Sequence, residues 1–103
     1  MTESEPDSFE RKLAALAEDF KRSLTTTRVE IADAWNAALT GDEAARARLL
    51  ILVHRLSGSA ASFGLPNVAE AAEILDQELR RSATTVPHAE LMAKLDRQLS
   101  DPT

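Results

Sequence analysis

The chain has 103 residues, a net charge of −5, 44% apolar residues and no cysteine. This length fits a single domain and excludes a catalytic domain with a separate cofactor domain. The absence of cysteine excludes disulfides and thiolate chemistry, and the acidic balance argues against nucleic acid or an anionic membrane as partner. Its longest apolar run is too short to span a membrane and its acidic start is unlike a signal peptide, so we expect a cytoplasmic location.

The first forty residues carry two apolar stripes at helical spacing. After a polar leader over residues 1–7, apolar side chains recur at three- and four-residue steps from Phe9 to Leu24 and predict a first helix. The poor helix formers Thr25–Thr27 predict a break. A second helix is then predicted to end near Gly41, and its apolar stripe consists of Val29, Ala32, Trp35 and Leu39.

Three further amphipathic segments complete the predicted elements. Asp42 is placed to cap a third helix over residues 43–63. A fourth helix begins at about Pro66, and a short last one follows Pro87. The abundance of alanine and leucine favours helix over strand. We therefore predict that residues 8–100 form one all-α domain, an antiparallel four-helix bundle with an additional N-terminal helix.

The third predicted helix has two dissimilar faces. Leu49 and Val53 belong to a core stripe, whereas His54 lies outside it, near 140° from Leu49 on the helical wheel, at about 100° per residue. Small or apolar side chains surround this histidine: Leu50, Ile51, Gly58 and Ala61. A glycine inside a helix costs about 1 kcal/mol relative to alanine. The presence of Gly58 beside His54 favours a docking surface around this histidine. The alternative is an ordinary histidine at the edge of the bundle, and the docking surface requires that Gly58 does not end the helix.

The eleven residues His54-Arg55-Leu56-Ser57-Gly58-Ser59-Ala60-Ala61-Ser62-Phe63-Gly64 resemble the phosphorylation signature of histidine-containing phosphotransfer (HPt) domains. The resemblance implies a helical bundle that carries a phosphoryl group between receiver-domain aspartates of a two-component phosphorelay. It makes His54 the phospho-accepting residue and Gly58 the residue that lets the receiver approach. The implied partners are the receiver domains of a response regulator and of a hybrid histidine kinase. Since the receiver supplies the magnesium ion, the chain is expected to be a carrier without cofactor, metal or ATP site.

Besides Gly58, three residues are candidates for the environment of the phosphohistidine: Asp76, Ser57 and Arg55. Asp76 stands where the family often has an acidic or amide residue and could fix the imidazole tautomer, although a role as a solvated surface carboxylate is equally open. Ser57 replaces the lysine that many members carry and brings no charge. Arg55 is a candidate for that missing cation, but it lies about 100° round the helix from His54. Arg80 is better interpreted as a partner of the helix dipole.

Other interpretations remain open. His88 has no motif around it and is assigned a structural or solvent-exposed role, and two histidines without a carboxylate cluster make a poor metal site. A helical adaptor could use the same surface (Leu50, Ile51, Gly58 and Ala61) to bind a receiver or a partner helix without phosphorylation. A third class, the dimerising helix pair of a histidine kinase, is weakened by the lack of an ATP-binding domain. We expect a monomer.

Overall fold

The computed structural model describes residues 7–82 and 88–102. The elements there are four helices: α1 (Asp7–Leu39), α2 (Glu43–Ser62), α3 (Pro66–Arg81) and α4 (Ala89–Ser100). Helix α2 packs against α1 and α3, and α4 packs against the same two helices, so their apolar faces enclose one core. The predicted all-α four-helix bundle is confirmed. The predicted leader, apart from the backbone of Asp7, and Pro87 lie outside the described residues.

The break predicted at Thr25–Thr27 is wrong, because α1 continues through it as one helix of 33 residues. Leu24 and Ile31, on either side of the threonines, are both buried on the same face of this helix. Three threonines cost a helix about 2 kcal/mol relative to alanine, whereas burying two such side chains stabilises it by about 3–6 kcal/mol. The additional N-terminal helix of the prediction is therefore the first half of α1.

The predicted stripe in the second half of α1 is also partly wrong. Trp35 is buried as expected, but Val29 and Leu39 are exposed and Ala32 is only half-buried. The core side chains of this half are Ile31, Ala34, Trp35 and Ala38. Because helix α1 is unbroken, its register is set by Leu24, and this register turns Val29 to the outside.

The termini of α2 form as the sequence indicated. Gly41 has a positive φ of 93°, and the Asp42 side chain accepts a hydrogen bond from the Ala45 N–H at 3.0 Å. At the other end Gly64 has a φ of 76°, and α2 extends to Ser62. Gly58 is therefore an interior residue of α2, and the alternative in which it ends the helix is wrong.

Two arginines tie the helices together. Arg46 of α2 donates to the carbonyls of Leu79 and Ser82 and so binds the C-terminal end of α3. Arg28 of α1 holds Asp96 of α4 through two hydrogen bonds of 2.7 and 2.8 Å. These bonds lower the pKa of the Asp96 carboxyl group from its usual value, against the opposing effect of partial burial. The pair therefore stabilises the packing of α1 on α4 at pH values above the usual pKa of an aspartate, and this contribution is lost as the pH falls through the lowered pKa of Asp96.

Candidate functional site

The imidazole of His54 projects from the middle of α2 into solvent. Its side chain is 66% exposed, whereas the preceding residue, Val53, is completely buried in the core. The ring is nevertheless fixed, because its Nδ1 atom lies 3.2 Å from the Oδ2 atom of Asp76 on α3. The structure thus brings together two residues that are 22 positions apart in the sequence.

Asp76 is one of the few polar side chains of the described residues to be buried, with 7% exposure. A buried carboxylate needs charged or hydrogen-bonding partners to offset its lost hydration. Asp76 has two: Oδ2 lies against His54, and Oδ1 accepts a hydrogen bond of 3.0 Å from Nε of Arg80. An ionised carboxylate can only accept hydrogen bonds, so the Nδ1 atom of His54 carries the donated hydrogen. In the neutral ring, Nε2 is then the unprotonated nitrogen.

Arg80 is the third member of this group, although its position in the sequence favoured a role as a partner of the helix dipole. It lies in the last turn of α3, as its assignment to the helix dipole required, but its guanidinium group also binds Asp76. The two residues are four positions apart, and such pairs meet on one face of a helix. This four-residue spacing was the signal in the sequence that indicated a contact between Asp76 and Arg80. The result is a continuous chain from the imidazole through a buried carboxylate to a half-exposed guanidinium.

The other two candidates are placed away from the imidazole nitrogens. The hydroxyl of Ser57 donates to the backbone carbonyl of His54 at 2.9 Å, which is a common use of serine inside a helix. Arg55 is exposed and borders a groove between α1 and α2, together with Thr27 and Glu30. Arg80, and neither of these two, is therefore the residue linked to the His54 ring through hydrogen bonds.

The surface predicted for docking is largely open to solvent. Ile51 is 51% exposed, and Ala61 is exposed as well. Leu50 is half-buried and packs against the core, so less of it is available to a partner. A methyl group built at Gly58 meets no atom within 4 Å. The glycine is therefore not required by packing within the described part of this chain.

His88 differs from His54 in both burial and surroundings. It is buried at the N-cap position of α4, and its Nε2 atom has no hydrogen-bond partner within residues 7–82 and 88–102. The same residues contain no group of three histidine, aspartate or glutamate side chains arranged to hold a metal ion. None of their helices has the combination of length and apolarity needed to cross a membrane.

A model of the Hpt domain family matches residues 15–101. The matched segment contains His54, Asp76 and Arg80 and begins inside α1, after Phe9 and Leu13. No curated protein and no solved structure matches the chain.

Proposed function

Because this chain belongs to the Hpt domain family, whose members carry phosphoryl groups in two-component phosphorelays, we propose that it relays one between receiver-domain aspartates through His54. The observation that carries the proposal is the exposed imidazole whose Nδ1 atom lies 3.2 Å from buried Asp76. This contact orients the ring and leaves Nε2 as the nucleophile.

The transfer step requires little of the chain beyond this orientation. The lone pair of Nε2 attacks the phosphorus of an aspartyl phosphate on the receiver, and a nitrogen–phosphorus bond forms. The bond between phosphorus and the aspartyl oxygen breaks, and the receiver carboxylate leaves with the bonding electrons. The ring keeps its Nδ1 hydrogen and so gains positive charge, which the carboxylate of Asp76 stabilises. Transfer to a second receiver reverses these steps.

Charge near the phosphoryl group is the second requirement. A phosphoryl group brings up to two negative charges, and Ser57 offers none in return. We assign the compensating cation to Arg80, because its side chain is 54% exposed and its guanidinium group is already bound to the carboxylate that holds His54. Arg55 borders the groove between α1 and α2 and is the less suitable candidate.

Docking of the receiver is assigned to the open face of α2. Ile51 and Ala61 offer apolar contact on either side of His54, and Leu50 contributes its exposed part. Gly58, one turn beyond His54, leaves the space in which a receiver can bring its aspartyl phosphate to Nε2. In this proposal the chain is a carrier rather than an enzyme. Since receivers act in the cytoplasm, the proposal also implies a cytoplasmic location.

The experiment uses a receiver domain that has been phosphorylated with radiolabelled acetyl phosphate and freed of the donor. Mixing it with this chain is expected to move label onto the chain as an acid-labile, base-stable product. The variant His54→Gln is expected to receive no label. The matched control is His88→Gln, which removes the chain's other histidine and is expected to accept label as the unchanged chain does, once its folding is verified by circular dichroism.

Two results would contradict the proposal. Label on His54→Gln would place the phosphoryl group elsewhere. Binding of phosphorylated receivers without transfer of label, in a panel that includes receivers of hybrid kinases, would favour the adaptor alternative. Phosphorus NMR of the labelled chain checks the predicted atom, because phosphorylation on Nε2 and on Nδ1 gives different chemical shifts.

A further inference from the structure

The first half of α1 presents an apolar stripe that the described residues cover only in part. Phe9 is 73% exposed, Leu13 47% and Leu16 55%. With Phe20 they form what we call the α1 stripe (Phe9, Leu13, Leu16 and Phe20). It lies on the same face of α1 that buries Leu24 and the core residues of the second half. The face of α1 that packs into the core in its second half is thus exposed to solvent in its first half.

The reason is the difference in helix length. Helix α1 has 33 residues, whereas its neighbour α2 has 20. The connection between α2 and α3 reaches the stripe from one side only: Phe63 stacks on Phe20 with ring centroids 5.1 Å apart. Phe63 and Gly64 also border a groove beside Leu13 and Ala17. The opposite side of the stripe is not covered by this connection.

The stripe has the spacing of a coiled-coil seam. Its four residues follow one another at steps of four, three and four, which is the a/d pattern of a heptad. On the side opposite the α2–α3 connection lie Lys12 and Asp19, seven residues apart. They therefore occupy the same heptad position with opposite charges.

This charge pattern distinguishes between orientations of a second helix. In an antiparallel pair, equivalent flanking positions face each other across the seam, so Lys12 of one copy meets Asp19 of the other, and the pairing occurs twice by symmetry. A parallel pair would place Lys12 opposite Ala17 of the second copy and would form no such ion pair. We therefore propose that two copies of this chain associate antiparallel through the α1 stripe, with two Lys12–Asp19 pairs.

Asp19 is available for this contact although it already has a partner. Its carboxylate accepts a hydrogen bond from Arg22 on the same helix, and both side chains are largely exposed. A carboxylate can accept about four hydrogen bonds, so Lys12 of the second copy joins Arg22 rather than replacing it.

The size of the stripe sets the strength of the association. An exposed phenylalanine offers on the order of 200 Å², and the two leucines are half covered, so two copies together bury roughly 600–800 Å². This is below the size of a stable interface, which places the dissociation constant in the micromolar range or above. The chain is then a monomer when dilute and a dimer when concentrated, which differs from the expected monomer at high concentration.

The test is a charge exchange measured by sedimentation equilibrium over roughly 10 μM to 1 mM protein. Lys12→Asp alone places two carboxylates opposite each other in each pair, and Asp19→Lys alone places two ammonium groups there. Each variant is expected to dimerise roughly tenfold more weakly than the unchanged chain. An equimolar mixture of the two variants restores the attraction between unlike charges and is expected to recover affinity as a heterodimer. Failure of the mixture to recover it would overturn the antiparallel arrangement.

The apolar seam is tested separately. Leu16→Asp is expected to abolish dimerisation without lowering the melting temperature, because Leu16 is 55% exposed in the monomer. The matched control is Val29→Asp, which changes an equally exposed side chain on the opposite face of α1 and is expected to leave dimerisation unchanged. A chain that stays monomeric at 1 mM, or a Leu16→Asp variant that loses receiver binding instead, would overturn the proposal. The second outcome would assign the stripe to the receiver.

Discussion

The two faces of α2 differ in burial and in the types of residue that they carry. On one face Leu49, Val53 and Ala60 are completely buried. On the other, Ile51 and His54 are exposed, and Gly58 stands where alanine would form a better helix. One face of α2 therefore stabilises the bundle, and the other face is free to contact a partner. Substitutions on the two faces should then have separable effects.

The largest effect is expected from truncating the buried face. Leu49→Ala removes a fully buried side chain and is expected to lower the free energy of unfolding by about 2–5 kcal/mol. Ile51→Ala, two residues on, removes an exposed side chain and is expected to cost less than about 1 kcal/mol while weakening receiver binding. Urea unfolding of both variants measures this difference. Equal losses of stability would show that the face around His54 is covered by protein.

Gly58 lies on the exposed face and gives the second prediction. Gly58→Ala is expected to raise the free energy of unfolding by roughly 0.5–1 kcal/mol, because alanine is the better helix former and its methyl group meets no atom within 4 Å. The same methyl group stands beside the docked receiver and is expected to slow phosphotransfer at least about fivefold.

The matched control for Gly58 is Gly64→Ala. Its φ of 76° disfavours any side chain, so this variant is expected to lose stability rather than gain it. Thermal unfolding and transfer rates are measured for both variants. A Gly58→Ala chain that is more stable and transfers at the original rate would remove Gly58 from the docking surface.

The smallest effect concerns the missing charge at Ser57. Ser57→Lys places a cation one turn from His54, and a charge about 6 Å from the phosphoryl group in a water-like dielectric is worth roughly 0.7 kcal/mol. The half-life of the phosphorylated chain is therefore expected to increase about threefold. Ser62→Lys adds the same charge further along α2, about 12 Å from His54, and serves as the control. An unchanged or shorter half-life of the Ser57→Lys product would contradict the prediction.

The periodicity of apolar residues was sufficient to predict that helices form, but it was not sufficient to predict how long each helix is. Gly41, Asp42 and Pro66 mark helix boundaries by local chemistry, and the structure agrees with them. The threonines at 25–27 do not mark a boundary. Their small cost in helix propensity is outweighed by the burial of apolar side chains on both sides of them. The α1 stripe has the same helical periodicity as the buried apolar residues in the second half of α1. Which part is covered depends on where the shorter α2 packs along α1, which a local pattern cannot indicate.

The candidate site could also be predicted only in part, because some of its residues are brought together by packing between helices. His54 and Gly58 stand in one segment, so their spacing could be read from the chain itself. Asp76 lies on another helix, and only the packing of α3 on α2 distinguishes a buried carboxylate from a surface one. Arg80 needed one further step, since its contact with Asp76 gains meaning only when Asp76 is known to reach the imidazole.

The contact between His54 and Asp76 depends on the registers of α2 and α3 and is therefore sensitive to insertions within these helices. Residues 63–65 alone separate the two helices, and the N–H of Leu65 donates to the carbonyl of Ala60 at 2.9 Å. One residue inserted within α3 before Asp76 would turn Asp76 by about 100° around the axis of α3 and carry it away from His54. Every side chain of the site would still be present in such a chain, yet the imidazole would lose its anchor. In related sequences, the number of residues between the histidine and the aspartate is therefore as informative as their identities.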